Sequence, residues 1–65
     1  EPTELFAKMK KGLNLLKPGT LQLIQMRFWE DRPFKEIGEI LGITETNAKT
    51  KTYRGLEKLK QLMKI

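Results

Sequence analysis

Sixty-five residues with 13 Lys and Arg against 8 Asp and Glu, a net charge of +5, bound this chain to one small domain with little core to spare. The absence of Cys and His excludes disulfides, thiol chemistry and the usual zinc sites, so no cofactor is expected. No apolar run approaches the roughly 18 residues of a membrane span, and no signal-peptide pattern opens the chain. The reading is a cytoplasmic protein, and Glu1 in place of Met reads as a fragment of a longer one.

The first predicted helix covers residues 3–16, with a cap at Thr3 and an apolar face of Leu5, Phe6, Met9, Leu13 and Leu16. Gly12 interrupts it, so this helix is expected to fray more than the others. Lys8, Lys10 and Lys11 form its solvated side. Lys17-Pro18-Gly19-Thr20 breaks the pattern, because Pro disfavours a helical residue before it and Gly ends regular structure. The second helix, 20–30, is apolar nearly all round (Leu21, Leu23, Ile24, Met26, Phe28, Trp29), as a central helix touching several neighbours would be. Trp29 is expected to pack in the core or at its rim. Arg27 is open to a phosphate contact or to pairing with Glu30 or another acid.

Glu30-Asp31-Arg32-Pro33 reads as a polar loop, with Pro33 suited to the first turn of the third helix, 33–41. There Phe34, Ile37, Ile40 and Leu41 recur at three and four residues and share a face, while Lys35, Glu36 and Glu39 point to solvent. Gly38 among them points to close approach of a second helix. Gly42 follows the last periodic residue, where a left-handed glycine ends a helix, Ile43 plugs the turn into the core, and Thr44 caps the next helix. Two helices joined within about twenty residues make a helix-turn-helix.

The fourth helix, 45–64, carries Ala48, Thr52, Gly55, Leu56, Leu59, Leu62 and Met63 on one stripe at 100° per residue. The first helix is the natural cover for its distal leucines. The opposite side holds Thr46, Asn47, Thr50 and Arg54, flanked by Lys49, Lys51, Tyr53 and Lys58. The charge follows this division. Residues 1–45 hold seven basic and seven acidic residues, whereas from Thr46 onward six basic residues face Glu57 alone. Such an excess on one helix is the footprint expected for a polyanion, most often nucleic acid, with an anionic membrane surface the weaker alternative. Lys49, Lys51, Arg54 and Lys58 are read as phosphate contacts, and Thr46, Asn47 and Thr50 as groups for base edges. Thr44 sets the end of the helix, whose first N–H groups can approach a phosphate.

The stretch FKEIGEILGITETNAKTKTYRGLEKLKQL resembles the second part of region 4 of bacterial sigma-70 family transcription factors, especially the extracytoplasmic-function group. Ile37-Gly38-Glu39-Ile40-Leu41-Gly42-Ile43-Thr44 corresponds to that family's Ile-Ala-Glu-Ile-Leu-Gly-Ile-Ser. Ala48-Lys49-Thr50-Lys51 corresponds to its Val-Lys-Ser-Arg-like segment, and Arg54-Gly55-Leu56-Glu57-Lys58-Leu59-Lys60 to its Arg-Ala-Leu-x-Lys-Leu-Arg ending. Leu16-Lys17-Pro18 and Arg27-Phe28-Trp29 match in kind the Leu-Pro-Pro turn and the Arg-aromatic end of the preceding helix. Gly38, Ala48, Lys51 and Gly55 depart from the pattern, the two glycines being expected to loosen their helices without changing the faces. Thr46 and Asn47 lie where the family varies.

The fold expected is an all-α, four-helix domain containing a helix-turn-helix, with no strand. The resemblance implies binding to the upstream promoter element read by sigma factors, RNA polymerase as partner through the flap of its β subunit, and anti-sigma factors as further partners. A LuxR-type response-regulator effector domain is the alternative DNA-binding reading, though the ending from Tyr53 fits sigma factors better. A basic helical module that binds an acidic protein is the alternative from another class. An enzyme is not expected, because without His or Cys catalysis rests on carboxylates, Lys or Tyr, and the eight acidic residues form no evident inward-facing pair.

Overall fold

The computed structural model describes residues 3–63, and Lys64, the last residue of the predicted fourth helix, lies outside them. Among the described residues all regular structure is helical. Helix α1 is Thr3–Leu15 and α2 is Pro18–Ile24, running on into a π-helical turn, Gln25–Trp29. They are followed by α3, Phe34–Leu41, and α4, Glu45–Met63. The all-α expectation holds, and α4 is the element against which α1, α2 and α3 all pack.

Helix α2 begins earlier than the predicted residue 20. Lys17 is extended (φ −62°, ψ 146°), so Pro18 occupies the first helical position, where its fixed φ suits a helix and its missing N–H costs nothing. The Leu21 N–H then closes the first turn on the Lys17 carbonyl at 2.9 Å. Leu23, Ile24 and Met26 are buried, as a central helix requires.

Phe28 and Trp29 do not follow them. They stand 49% and 59% exposed, against the expectation that Trp29 packs in the core or at its rim. For Phe28 the π turn supplies a reason, while Trp29 lies one turn beyond exposed Gln25. An α-helix would set Phe28 one turn beyond buried Ile24, on the same face. Winding to i−5 carbonyls, as in the 3.0 Å bond from the Glu30 N–H to Gln25 O, carries Phe28 off that face. Asp31 then reverses the chain at φ 54°, a conformation that Asp tolerates better than most residues. The Arg32 N–H bonds back to Met26 O at 2.9 Å.

The core is formed by Leu23, Met26, Ile37 and Ala48, with Phe34, Leu41 and Ile43 packed against it. Ile43 therefore plugs the turn as its apolar character predicts. Ile40, placed by periodicity on the same face as Ile37, is 50% exposed. The contact stripe of α3 runs through Phe34, Ile37 and Leu41, and Ile40 lies at its edge. The first helix shows a similar limit. Leu16 is buried and Met9 and Leu13 are half-buried, but Leu5 and Phe6 are exposed. Gly12 is the buried residue of α1 and packs against α4. A β-carbon there would lie 2.9 Å from Leu59 Cδ1 and 3.0 Å from Met63 Cγ. The interruption in the pattern thus marks a packing contact.

Thr52 is fully buried in the apolar stripe of α4, and its hydroxyl donates to Ala48 O at 2.7 Å. This satisfies the polar atom without a partner from another helix.

Ile37→Ala and Ile40→Ala separate the true core face from the periodic one. Ile37→Ala is expected to cost about 2–5 kcal/mol, comparable to the roughly 3–5 kcal/mol that a core of this size supplies. Ile40→Ala is expected to cost about 1 kcal/mol or less. Urea denaturation followed by helical circular dichroism measures both, and equal losses would refute the assignment.

Candidate nucleic-acid interface

The site begins at the turn between α3 and α4. Gly42 adopts the left-handed conformation (φ 72°, ψ 33°), and its N–H bonds to Gly38 O. The Ile43 N–H bonds to the same carbonyl at 2.9 Å, completing the termination that only a residue free of β-carbon strain makes easily. Gly38 is a point of close approach, but the neighbour is the backbone of this turn and not a second helix as expected. A β-carbon on Gly38 would fall 2.6 Å from Ile43 O and 3.2 Å from Thr44 O.

Thr44 caps α4 as predicted. Its Oγ1 accepts the Asn47 N–H at 3.0 Å, and its carbonyl accepts the Ala48 N–H at 2.9 Å. The cap therefore occupies one of the free N–H groups at this helix end, and Glu45 adds a carboxylate to the same first turn. The phosphate-binding capacity of the α4 N-terminus is thus partly answered within the chain. The side chain of Asn47 remains open to solvent.

The structure places Thr44, Thr46, Asn47, Lys49, Thr50, Lys51, Arg54 and Lys58 in exposed positions on α4 or its cap, with Ala48, Thr52 and Gly55 buried behind them. The outer surface of α4 has two flanks. Toward α3, the Tyr53 ring lies 6.0 Å from that of Phe34, tilted by 55°. On the other flank Lys51, Arg54 and Lys58 border an open groove of about 420 Å³, shared with Lys17 and Thr20 at the start of α2. Lys17 and Thr20 belong to no pattern that sequence reading could have linked to α4, because helix docking brings them there across more than thirty residues of chain.

Of its two expected roles, Arg27 does not take the pairing with an acid among the described residues. Its guanidinium carbon stands 4.8 Å from the centroid of the Phe34 ring, a cation–π contact, and Nη1 donates to Arg32 O at 3.4 Å. Arg32 donates to Glu30 at 2.6 Å and to Glu36. Hydrogen bonds to Glu30 and then Glu36 raise its pKa further above the ordinary guanidinium value, so it stays charged at every working pH. By contrast, Lys49, Lys51, Arg54 and Lys58 enter no ion pair among the described residues. Two arginines at the entrance to the helix-turn-helix are thus engaged internally, while the cations of α4 are left to solvent. The described residues contain no His, Cys, Asp or Glu cluster able to hold a metal ion. No helix among them is long and apolar enough to cross a membrane.

A capped helix presenting hydroxyls, an amide and unpaired cations, braced by a preceding helix through a glycine turn, defines a helix-turn-helix DNA-binding domain. The family described as Sigma-70, region 4 matches residues 12–61. The chain belongs to that family, the DNA-binding region of sigma factors and related helix-turn-helix regulators. No curated protein and no solved structure matches the chain significantly.

Thr44→Ala is expected to remove the cap and cost about 1 kcal/mol, whereas Thr44→Ser keeps it and changes stability by about 0.5 kcal/mol or less. At about 4–8 °C per kcal/mol for a domain of this size, a thermal melt resolves the difference.

Proposed function

We propose that this chain is the promoter-reading domain of an extracytoplasmic-function sigma factor. It would bind the upstream promoter element as double-stranded DNA while docked on RNA polymerase through the β-subunit flap, in the cytoplasm, and under control of an anti-sigma factor. The observation that carries the DNA reading is the exposed, donor-rich face of α4, whose cations have no internal acid partner while Arg32 does. The promoter, the polymerase and the anti-sigma factor rest on the resemblance of Ile37–Thr44 and Arg54–Lys60 to the sigma pattern, together with family membership.

In mechanism, Thr46, Asn47 and Thr50 meet base edges in the major groove, which admits one helix. Lys49, Lys51, Arg54 and Lys58 neutralise phosphates, which supplies affinity and fixes orientation without reading sequence. The Phe34–Tyr53 contact and the Gly42 turn hold this helix at a set angle to α3, so that binding requires little reordering. A single module of this kind buries roughly 600–1,000 Å² on DNA. The polymerase would supply the remaining affinity.

Selection from random duplexes at two salt concentrations tests this reading. The wild-type chain should enrich one short motif. Asn47→Ala should relax one position of it, removing about 1–3 kcal/mol of discrimination, and Arg54→Ala should weaken all sequences alike and lower the salt slope by about 1. If no motif is enriched, with or without the polymerase β-flap present, the promoter-reading proposal fails.

A further inference from the structure

The basic flank of α4 does not end with α4. Lys51, Arg54 and Lys58 are spaced three and four residues apart, so they form one edge of the helix. Across the groove stands Lys17, the residue preceding Pro18. Its backbone is held by the Leu21 N–H on its carbonyl, while its side chain makes no capping bond and is exposed. None of these four cations has an acid partner among the described residues. Four like charges facing one groove repel one another, and an anion in the groove would relieve that repulsion.

Gly55 forms the floor. A β-carbon there would lie 2.7 Å from the Thr20 methyl and 3.6 Å from Ile24 Cδ1. Its absence brings the start of α2 close enough for Lys17 to share the groove with α4. A smaller cavity of about 290 Å³ bordered by Lys17, Thr20 and Lys58 adds Leu15 and Leu16 as an apolar wall. Cations beside an apolar wall suit a chain of phosphates linked by sugars better than an isolated anion. The extent of the edge agrees, since Lys51 to Lys58 spans about 10 Å at 1.5 Å per residue, longer than one phosphate ion.

We propose that this groove holds the sugar–phosphate backbone of one DNA strand outside the base pairs met by Thr46, Asn47 and Thr50, with Lys17 closing it from the α1–α2 turn. The inference rests on the DNA-binding reading above and adds to it a second element, distant in sequence from the helix-turn-helix, that grips the same duplex.

The test uses the 65-residue chain, Lys17→Ala and Lys17→Gln, and the duplex that the wild type enriches. Circular dichroism should show both variants folded, because the Lys17 side chain is exposed. Each variant should bind every duplex several-fold more weakly with the motif unchanged, and the slope of log K against log salt should fall by about 0.9, one phosphate contact. Ethylating single phosphates should reveal one position, outside the base pair relaxed by Asn47→Ala, that hinders the wild type and not Lys17→Ala. If the wild type binds duplex, Asn47→Ala relaxes the motif and both Lys17 variants keep affinity and slope, the groove inference is wrong and the function stands. If inorganic phosphate shifts the amide resonances of Lys17 and Gly55 while the variants bind duplex normally, the groove is a free-anion site and the inference is again overturned. A wild-type chain that binds no duplex, with or without the polymerase β-flap present, overturns both readings.

Discussion

The turn at Gly42 is the constraint on which the rest of the domain depends. Two successive N–H groups, of Gly42 and Ile43, converge on the Gly38 carbonyl, and this is possible only if residue 42 enters the left-handed region. Gly38, lacking a side chain, lets the Ile43 carbonyl lie where a β-carbon would be. Thr44 then starts α4 within two residues, so the angle between α3 and α4 is set by the backbone of this turn. With the angle set, Ile37 and Ala48 both reach complete burial. The opposite face of α4 has no option but solvent or a ligand.

A core this small leaves little free energy for polar groups to disturb. The Thr52 hydroxyl is satisfied within its own helix, and among the described residues no buried side-chain N or O lacks a partner. Charges at the loop before α3 are likewise settled internally: Arg32 bridges Glu30 and Glu36 across the loop and first turn, and Arg27 lies over Phe34. These pairs add little stability in water, but they leave both arginines engaged. Lys51, Arg54 and Lys58 on α4 and Lys17 across its groove remain without an acid partner among the described residues. A phosphate backbone approaching the domain meets free cations on that side.

Much of this was legible in the sequence because it depends on neighbours in the chain. The four helices, the left-handed glycine, the Thr44 cap and the stripe of Ala48, Thr52 and Gly55 all follow from spacings of at most four residues, the range over which helical geometry is decided. The outward placement of the candidate residues on α4 was legible for the same reason: given a buried stripe, the remainder of that helix must face outward. The charge excess from Thr46 onward needed only counting.

What the tertiary structure alone decided are contacts between residues far apart in the chain and departures from ideal winding. Apolar composition put Trp29 in the core or at its rim, yet at the end of a π turn, which has no comparable sequence signature, Phe28 and Trp29 both stand exposed. Gly12 read as a weakness and is the point where α1 meets Leu59 and Met63. Ile40 and Ile37 are equivalent by period, and only the position of the neighbouring helices makes one core and the other rim. Lys17 entered the basic groove because Gly55 let α2 approach α4. Periodicity determines which face of a helix is apolar; the close approach of one helix to another determines how much of that face is covered and which distant charges come to share an edge.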